Sequence, residues 1–172
     1  MADAEQLVAS AAEHHHAGRF DEAASLYRQA LAQRPNNADA LHLLGVLQHQ
    51  LKRHAEAIDL ISRAITIKPR VAEFYSSLGC AQRAMGEFNH AVDSFSRAIQ
   101  INPDLAEVYN NLGNVMVDEG RFDDAVTCYT QALNLKPDYA VAHNNLAAAL
   151  ARDAKFGDST GRAVNDALPN QS

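Results

Sequence analysis

The sequence has no tryptophan, and aromatic residues of every kind make up only 6% of its 172 positions. Alanine supplies much of the 47% apolar content instead. Small side chains suit helices packed at close range better than one thick globular core, and alanine favours helix because it has no side-chain entropy to lose. Cysteine is nearly absent. Cys80 and Cys128 stand far apart and in no CxxC pattern, which excludes a disulfide framework and a cysteine-ligated zinc site and fits a reducing compartment. Basic charge is also lacking: the net charge is −6 with a pI near 5.7, and the chain has no basic patch or stripe of the kind that binds nucleic acid. No apolar run approaches the roughly 20 residues that cross a membrane. The opening stretch, MADAEQLVASAAEHHHAGRF, has neither the basic flank nor the long apolar segment of a secretory leader. The expectation is a soluble, cytoplasmic chain with no nucleic-acid and no membrane partner.

What the sequence does have is a period. Four of its five prolines, Pro35, Pro69, Pro103 and Pro137, stand 34 residues apart. Ala23, Ala57, Ala91 and Ala125 keep the same step, as do Ala30, Ala64, Ala98 and Ala132, and Gly45, Gly79 and Gly113. The fullest copy, 106–139, carries Tyr109, Leu112, Gly113, Met116, Ala125, Tyr129 and Pro137. Copies at 72–105 and 38–71 repeat the scheme with Phe95 and Ile61 in the place of Tyr129. The copy at 4–37 is degenerate in its front half but keeps Ala23, Tyr27 and Pro35. A partial fifth, 140–156, has Ala147 where glycine is expected and reads as a capping helix, and 157–172 reads as an irregular tail. These residues at this spacing resemble the tetratricopeptide repeat. The resemblance implies an all-α fold, a right-handed superhelical solenoid of antiparallel helix pairs.

Within each unit the pattern predicts two amphipathic helices. In the fourth they run over about 106–119, with Val108, Leu112 and Val115 on one stripe, and about 122–135, with Ala125, Val126, Tyr129, Ala132 and Leu133 on another. Gly18, Gly86 and Gly120 fall where a positive φ ends the first helix, and Phe20, Phe88 and Phe122 follow two residues later. The second unit has Lys52 and His54 at those places, which predicts a looser or differently closed turn. Gly45, Gly79 and Gly113 predict close helix approach, and Tyr75, Tyr109 and Tyr129 occupy signature core positions.

In this family the first helix of each unit lines the concave surface, and the resemblance implies ligand-facing places at the second, fifth, sixth, ninth, twelfth and thirteenth residues of the unit. The second place carries an acidic row, Glu5, Asp39, Glu73 and Glu107. The fifth carries His42, Ser76, Asn110 and Asn144, the sixth Ser77, Asn111 and Asn145, and the ninth Cys80 and Asn114. No unit has lysine at the fifth place, which argues against the carboxylate clamp with which some members hold chaperone tails. The phrases EVYNNLGNVM, LNLKPDYA and AHNNLAAAL are similar to the repeats of protein O-GlcNAc transferases, where an inner asparagine row grips a peptide backbone. An asparagine amide has both donor and acceptor for that task. The alternative is that these asparagines are ordinary solvated groove residues. The candidate peptide-binding residues are therefore Glu73, Ser76, Ser77, Cys80, Glu107, Asn110, Asn111, Asn114, Asn144 and Asn145.

Catalysis finds no triad, no supported carboxylate pair and no phosphate-binding glycine loop, so no enzyme activity, cofactor or metal is expected. His14, His15 and His16 are consecutive on a helix and point in different directions, although His49 could approach His15 from the next unit. The expected function is a non-catalytic protein–protein interaction scaffold holding a peptide or protein segment in the groove. The alternatives are a self-associating assembly module, forming a homo-oligomer, and the substrate-recruiting arm of a glycosyltransferase-type enzyme.

Overall fold

The computed structural model describes residues 2–152, and among them helix alternates with short turns and no strand occurs. The helices are α1 (Ala4–His16), α2 (Phe20–Gln33), α3 (Ala38–Gln50), α4 (His54–Ile67), α5 (Ala72–Ala84), α6 (Phe88–Ile101), α7 (Ala106–Asp118) and α8 (Phe122–Leu135). A further helical stretch, α9, covers 140–152. The first helices of successive pairs thus begin at 4, 38, 72, 106 and 140, the step seen in the sequence. The fold is an all-α helical repeat. It forms two compact units, one reaching to Pro103 and holding α1–α6, the other starting at Asp104 and holding α7–α9. The end of the expected capping helix, 153–156, and the tail, 157–172, lie outside the described residues.

Local chemistry starts some of these helices. Asp3 accepts from the Gln6 backbone amide at 2.8 Å while the Gln6 side chain accepts from the Asp3 amide at 3.1 Å, a reciprocal cap that satisfies two otherwise unpaired donors. Asn37 does half of this for α3, accepting from Ala40 at 3.0 Å. The remaining helices take their stability mainly from packing, as short helices must.

Packing explains the alanine and glycine columns. Ala23, Ala57, Ala91 and Ala125, with Ala30, Ala64, Ala98 and Ala132, are all completely buried. A Cβ at Gly45 would stand 2.6 Å from Ile61, one at Gly79 2.8 Å from Phe95, and one at Gly113 2.6 Å from Tyr129. Glycine therefore lets the first helix of the second, third and fourth pairs touch the large residue of the second helix, while the first pair accommodates Ala11 there. In the first unit Tyr27, Leu41, Leu47, Ile61 and Phe95 are among the largest fully buried side chains, and Tyr129 takes that role in the second.

Two expectations need correction. Tyr75 and Tyr109 are only half-buried. The Tyr75 hydroxyl donates to the Pro69 carbonyl at 3.2 Å, and His143, at the same place in the fifth repeat, bonds the Pro137 carbonyl at 2.8 Å. This position ties a helix to the preceding inter-repeat turn, so a polar tip is useful there and full burial is not. The turn at Lys52 is also no looser than the others. Lys52 takes φ 64°, close to the 73–76° of Gly18, Gly86 and Gly120. Its amide bonds the His49 carbonyl at 3.0 Å and the Arg53 amide bonds Gln48 at 2.9 Å, the pattern that Gly18 and Arg19 make. Packing imposes the turn on a side chain that disfavours it by about 1–2 kcal/mol.

Candidate functional site

The acidic row is partly neutralised from within. Each second helix ends beside the start of its own first helix, which brings Arg34 within 2.7 Å of Glu5 and Lys68 within 2.8 Å of Asp39. In the third repeat the matching residue is Asn102, and in the fourth Lys136 lies over the Tyr139 ring at 5.2 Å. Glu73 and Glu107 are exposed, and no ion pair among the described residues engages them. The expected one-sided charge thus narrows to these two carboxylates.

A second pattern runs along the first helices. Side chains 35 residues apart meet across successive repeats. In the first unit His15 Nε2 bonds Gln50 Oε1 at 2.7 Å, and His42 Nε2 bonds Ser77 Oγ at 2.9 Å. In the second unit the Asn145 amide donates to Asn110 at 2.9 Å and to Asn114 at 3.2 Å. The Tyr129 hydroxyl donates to the same Asn114 oxygen at 2.8 Å. Asn110 is only 3% exposed, while Asn111, Asn114 and Asn145 are half-buried and Asn144 is exposed. Three asparagines and a tyrosine therefore form one connected network. It borders a shallow depression of about 160 Å³ lined by Asn114, Val117, Tyr129, Asn145, Ala148 and Arg152. Ser76, Ser77 and Cys80 are half-buried in the first unit.

The histidines do not converge. His49 turns to His54, with the two Nδ1 atoms 3.0 Å apart and the rings at 4.8 Å. His54 stands where other repeats carry phenylalanine, and it draws His49 away from His15. Among the described residues no group of three His, Cys, Asp or Glu side chains could hold a metal ion, and no helix is long and apolar enough to cross a membrane.

His42 is the most constrained titratable group of the first unit's face. It stacks on Phe74 at 4.5 Å. Burial lowers its pKa from the ordinary 6.5, against the opposing pull of Asp39 and Glu73. A folded state that resists protonation binds fewer protons than the unfolded chain, so stability is full above pH 6.5 and declines as pH falls below it. His49 is lowered too, by burial and by His54 and Lys52, and adds in the same direction. The urea midpoint should drop between pH 7 and pH 5, and the drop should be smaller in His42→Gln. An equal drop in that variant would mean that His42 is not the responsible group.

Tyr27 was not legible as a site residue. It matches Tyr129 by the repeat step, but Ala12 stands where Asn114 does, and the Tyr27 hydroxyl is buried without a hydrogen-bond partner. Burial raises its pKa above the ordinary 10.0. Comparing the column Ala12, Val46, Cys80, Asn114 with the column Tyr27, Ile61, Phe95, Tyr129 is the signal that would have found it.

Comparison with known proteins agrees with this architecture. A model described as "Tetratricopeptide repeat" matches residues 16–72, and one described as "TPR repeat" matches 81–118 and 113–153. No curated protein matches the sequence. Among solved structures, MamA is similar at 25% identity with a TM-score of 0.77, over 92% of this chain and 86% of that one. A MamA structure from Desulfovibrio magneticus RS-1 is similar at 20% identity with a TM-score of 0.74, over 80% of this chain and 78% of that one. YrrB, described as a tetratricopeptide protein with an unusual peptide-binding site, is similar at 20% identity with a TM-score of 0.71, over 88% and 78%.

Proposed function

The chain belongs to the tetratricopeptide repeat family, and on that premise we propose that it is a non-catalytic scaffold that holds a segment of another protein against the first helices of its repeats. The observation that carries this reading is the asparagine network of α7 and α9. Asn110 and Asn114 fix the Asn145 amide by two hydrogen bonds, so the carboxamide is held in place before any ligand arrives, and preorganised groups lose less entropy on binding. Its oxygen remains to accept a backbone N–H, and the exposed Asn144 beside it offers a second donor and acceptor. Such contacts read peptide backbone whatever its side chains. Glu107, exposed on the same helix as Asn110 and Asn114, adds a preference for a segment with basic residues, felt mainly in the association rate.

The test is binding of a captured partner by wild type, by Asn114→Ala/Asn145→Ala and by Glu107→Lys. Loss of two or more charge-free hydrogen bonds should weaken binding by roughly tenfold or more. The charge-reversed variant should lose affinity most at low salt. A partner that binds all three proteins alike would place the site elsewhere.

A second reading is self-association, favoured by Val141 and Leu150, which are 52% and 49% exposed on α9. Large apolar side chains exposed on a helix of a repeat array offer a stacking face. Light scattering across a concentration series separates the readings, since a strictly monomeric chain removes this one.

A further inference from the structure

The unpaired Tyr27 hydroxyl lies beside a hollow of about 450 Å³ on the first unit, between α1 and α3. Ala12, Phe20, Leu43 and Val46 give it apolar walls, and Tyr27, His15, His16 and Gln50 give it polar ones. No Lys, Arg, Asp or Glu lines it. The fourth repeat contains the same tyrosine in a satisfied state: Tyr129 Oη donates to the Asn114 carboxamide oxygen at 2.8 Å. In the first repeat the corresponding Ala12 is too short to provide that oxygen. A buried donor without an acceptor costs stability, and such a group in a native fold calls for an explanation.

We propose that this hollow is a recognition pocket for a carboxamide side chain, asparagine or glutamine, of the bound segment, whose oxygen accepts the Tyr27 hydrogen bond as Asn114 accepts that of Tyr129. The proposal rests on the scaffold reading, because it assigns one side chain of the segment held there. A carboxylate occupant would enter without a lysine or arginine to offset its desolvation, whereas a neutral amide would not carry that cost. The apolar walls fit the methylene stem, and the Gln50 amide lies at the rim. The hydroxyl is closed to solvent in the free chain, so the occupant reaches it by displacing His15. That imidazole packs edge-on to Tyr27 at 6.5 Å and is tied to the next first helix by its bond to Gln50.

The test uses small probes on the full chain, followed by NMR: the N-acetyl N′-methylamides of asparagine and glutamine, with those of leucine and aspartate as comparisons, so that only the first two carry a primary carboxamide. The two carboxamides should titrate the Tyr27 and Ala12 resonances more tightly than the other two probes. Tyr27→Phe should weaken carboxamide binding about tenfold, the worth of one hydrogen bond, while its melting temperature stays equal or rises. Ala12→Asn should raise the melting temperature and abolish probe binding, because the chain then supplies its own acceptor. Equal binding of the leucine probe, no titration by either carboxamide, or unchanged binding in Tyr27→Phe would overturn the proposal. None of these outcomes alters what Asn114→Ala/Asn145→Ala does to partner binding, so the pocket and the scaffold reading fail separately.

Discussion

Phe95→Ala should destabilise the chain by about 3–5 kcal/mol, the usual cost of removing a fully buried ring and leaving part of its volume unfilled. Phe95 is 0% exposed, and its ring lies against Gly79, where a Cβ would stand 2.8 Å away. The ring is therefore the piece that joins α6 to α5. The same geometry predicts a reversal. Gly79→Ala alone should destabilise, because the new methyl meets the ring. In the Phe95→Ala background it should stabilise, because the methyl enters the cavity and alanine favours helix over glycine by about 1 kcal/mol. Urea unfolding of the four proteins in the cycle reads the sign directly. A loss below about 1 kcal/mol for Phe95→Ala would mean that the ring does not join the pair.

Gly113→Val should cost about 1–3 kcal/mol by overpacking, net of the small helix-propensity gain over glycine. Its Cβ would stand 2.6 Å from Tyr129 Cε1, and the two cannot coexist unless the ring moves. Movement of the ring also breaks the Tyr129–Asn114 bond of 2.8 Å, which is part of the network that fixes Asn145. Gly113→Val should therefore weaken partner binding as well as stability, whereas Gly45→Val, in the other unit, should lower stability without touching that network. Adding Tyr129→Leu should recover part of the lost stability of Gly113→Val but none of the lost binding. Recovery of both would separate Asn114 from the binding site.

The repeat was legible because close packing leaves little choice. Every alanine of the two columns is fully buried, and the glycines face large side chains at distances no Cβ tolerates, so a 34-residue step in small residues is a direct record of helix contact. The candidate site was legible only as positions. That Asn111, Asn145 and their neighbours stand on first helices follows from the period. That Asn145 spends its amide on Asn110 and Asn114, 35 and 31 residues away, depends on two separate helices, and no local pattern carries it. The acidic row looked one-sided because its counter-ions, Arg34 and Lys68, belong to the far ends of the first and second repeats. Lys52 misled for a different reason: the turn is imposed by the helices it joins, and a single unfavourable φ of 64° is too weak to change it. Tyr27 was invisible because its feature is a missing partner, which appears only when one repeat is laid over another.

As a scaffold of this kind, the chain holds its partner against the first helices and not the second. A photo-cross-linking residue placed at Ala148, exposed beside the asparagine network, can be compared with one at Gln131, exposed on α8. A captured partner should cross-link from position 148 and not from position 131, and unlabelled wild-type chain should compete the signal away. Cross-linking from position 131 with none from position 148 would contradict that placement.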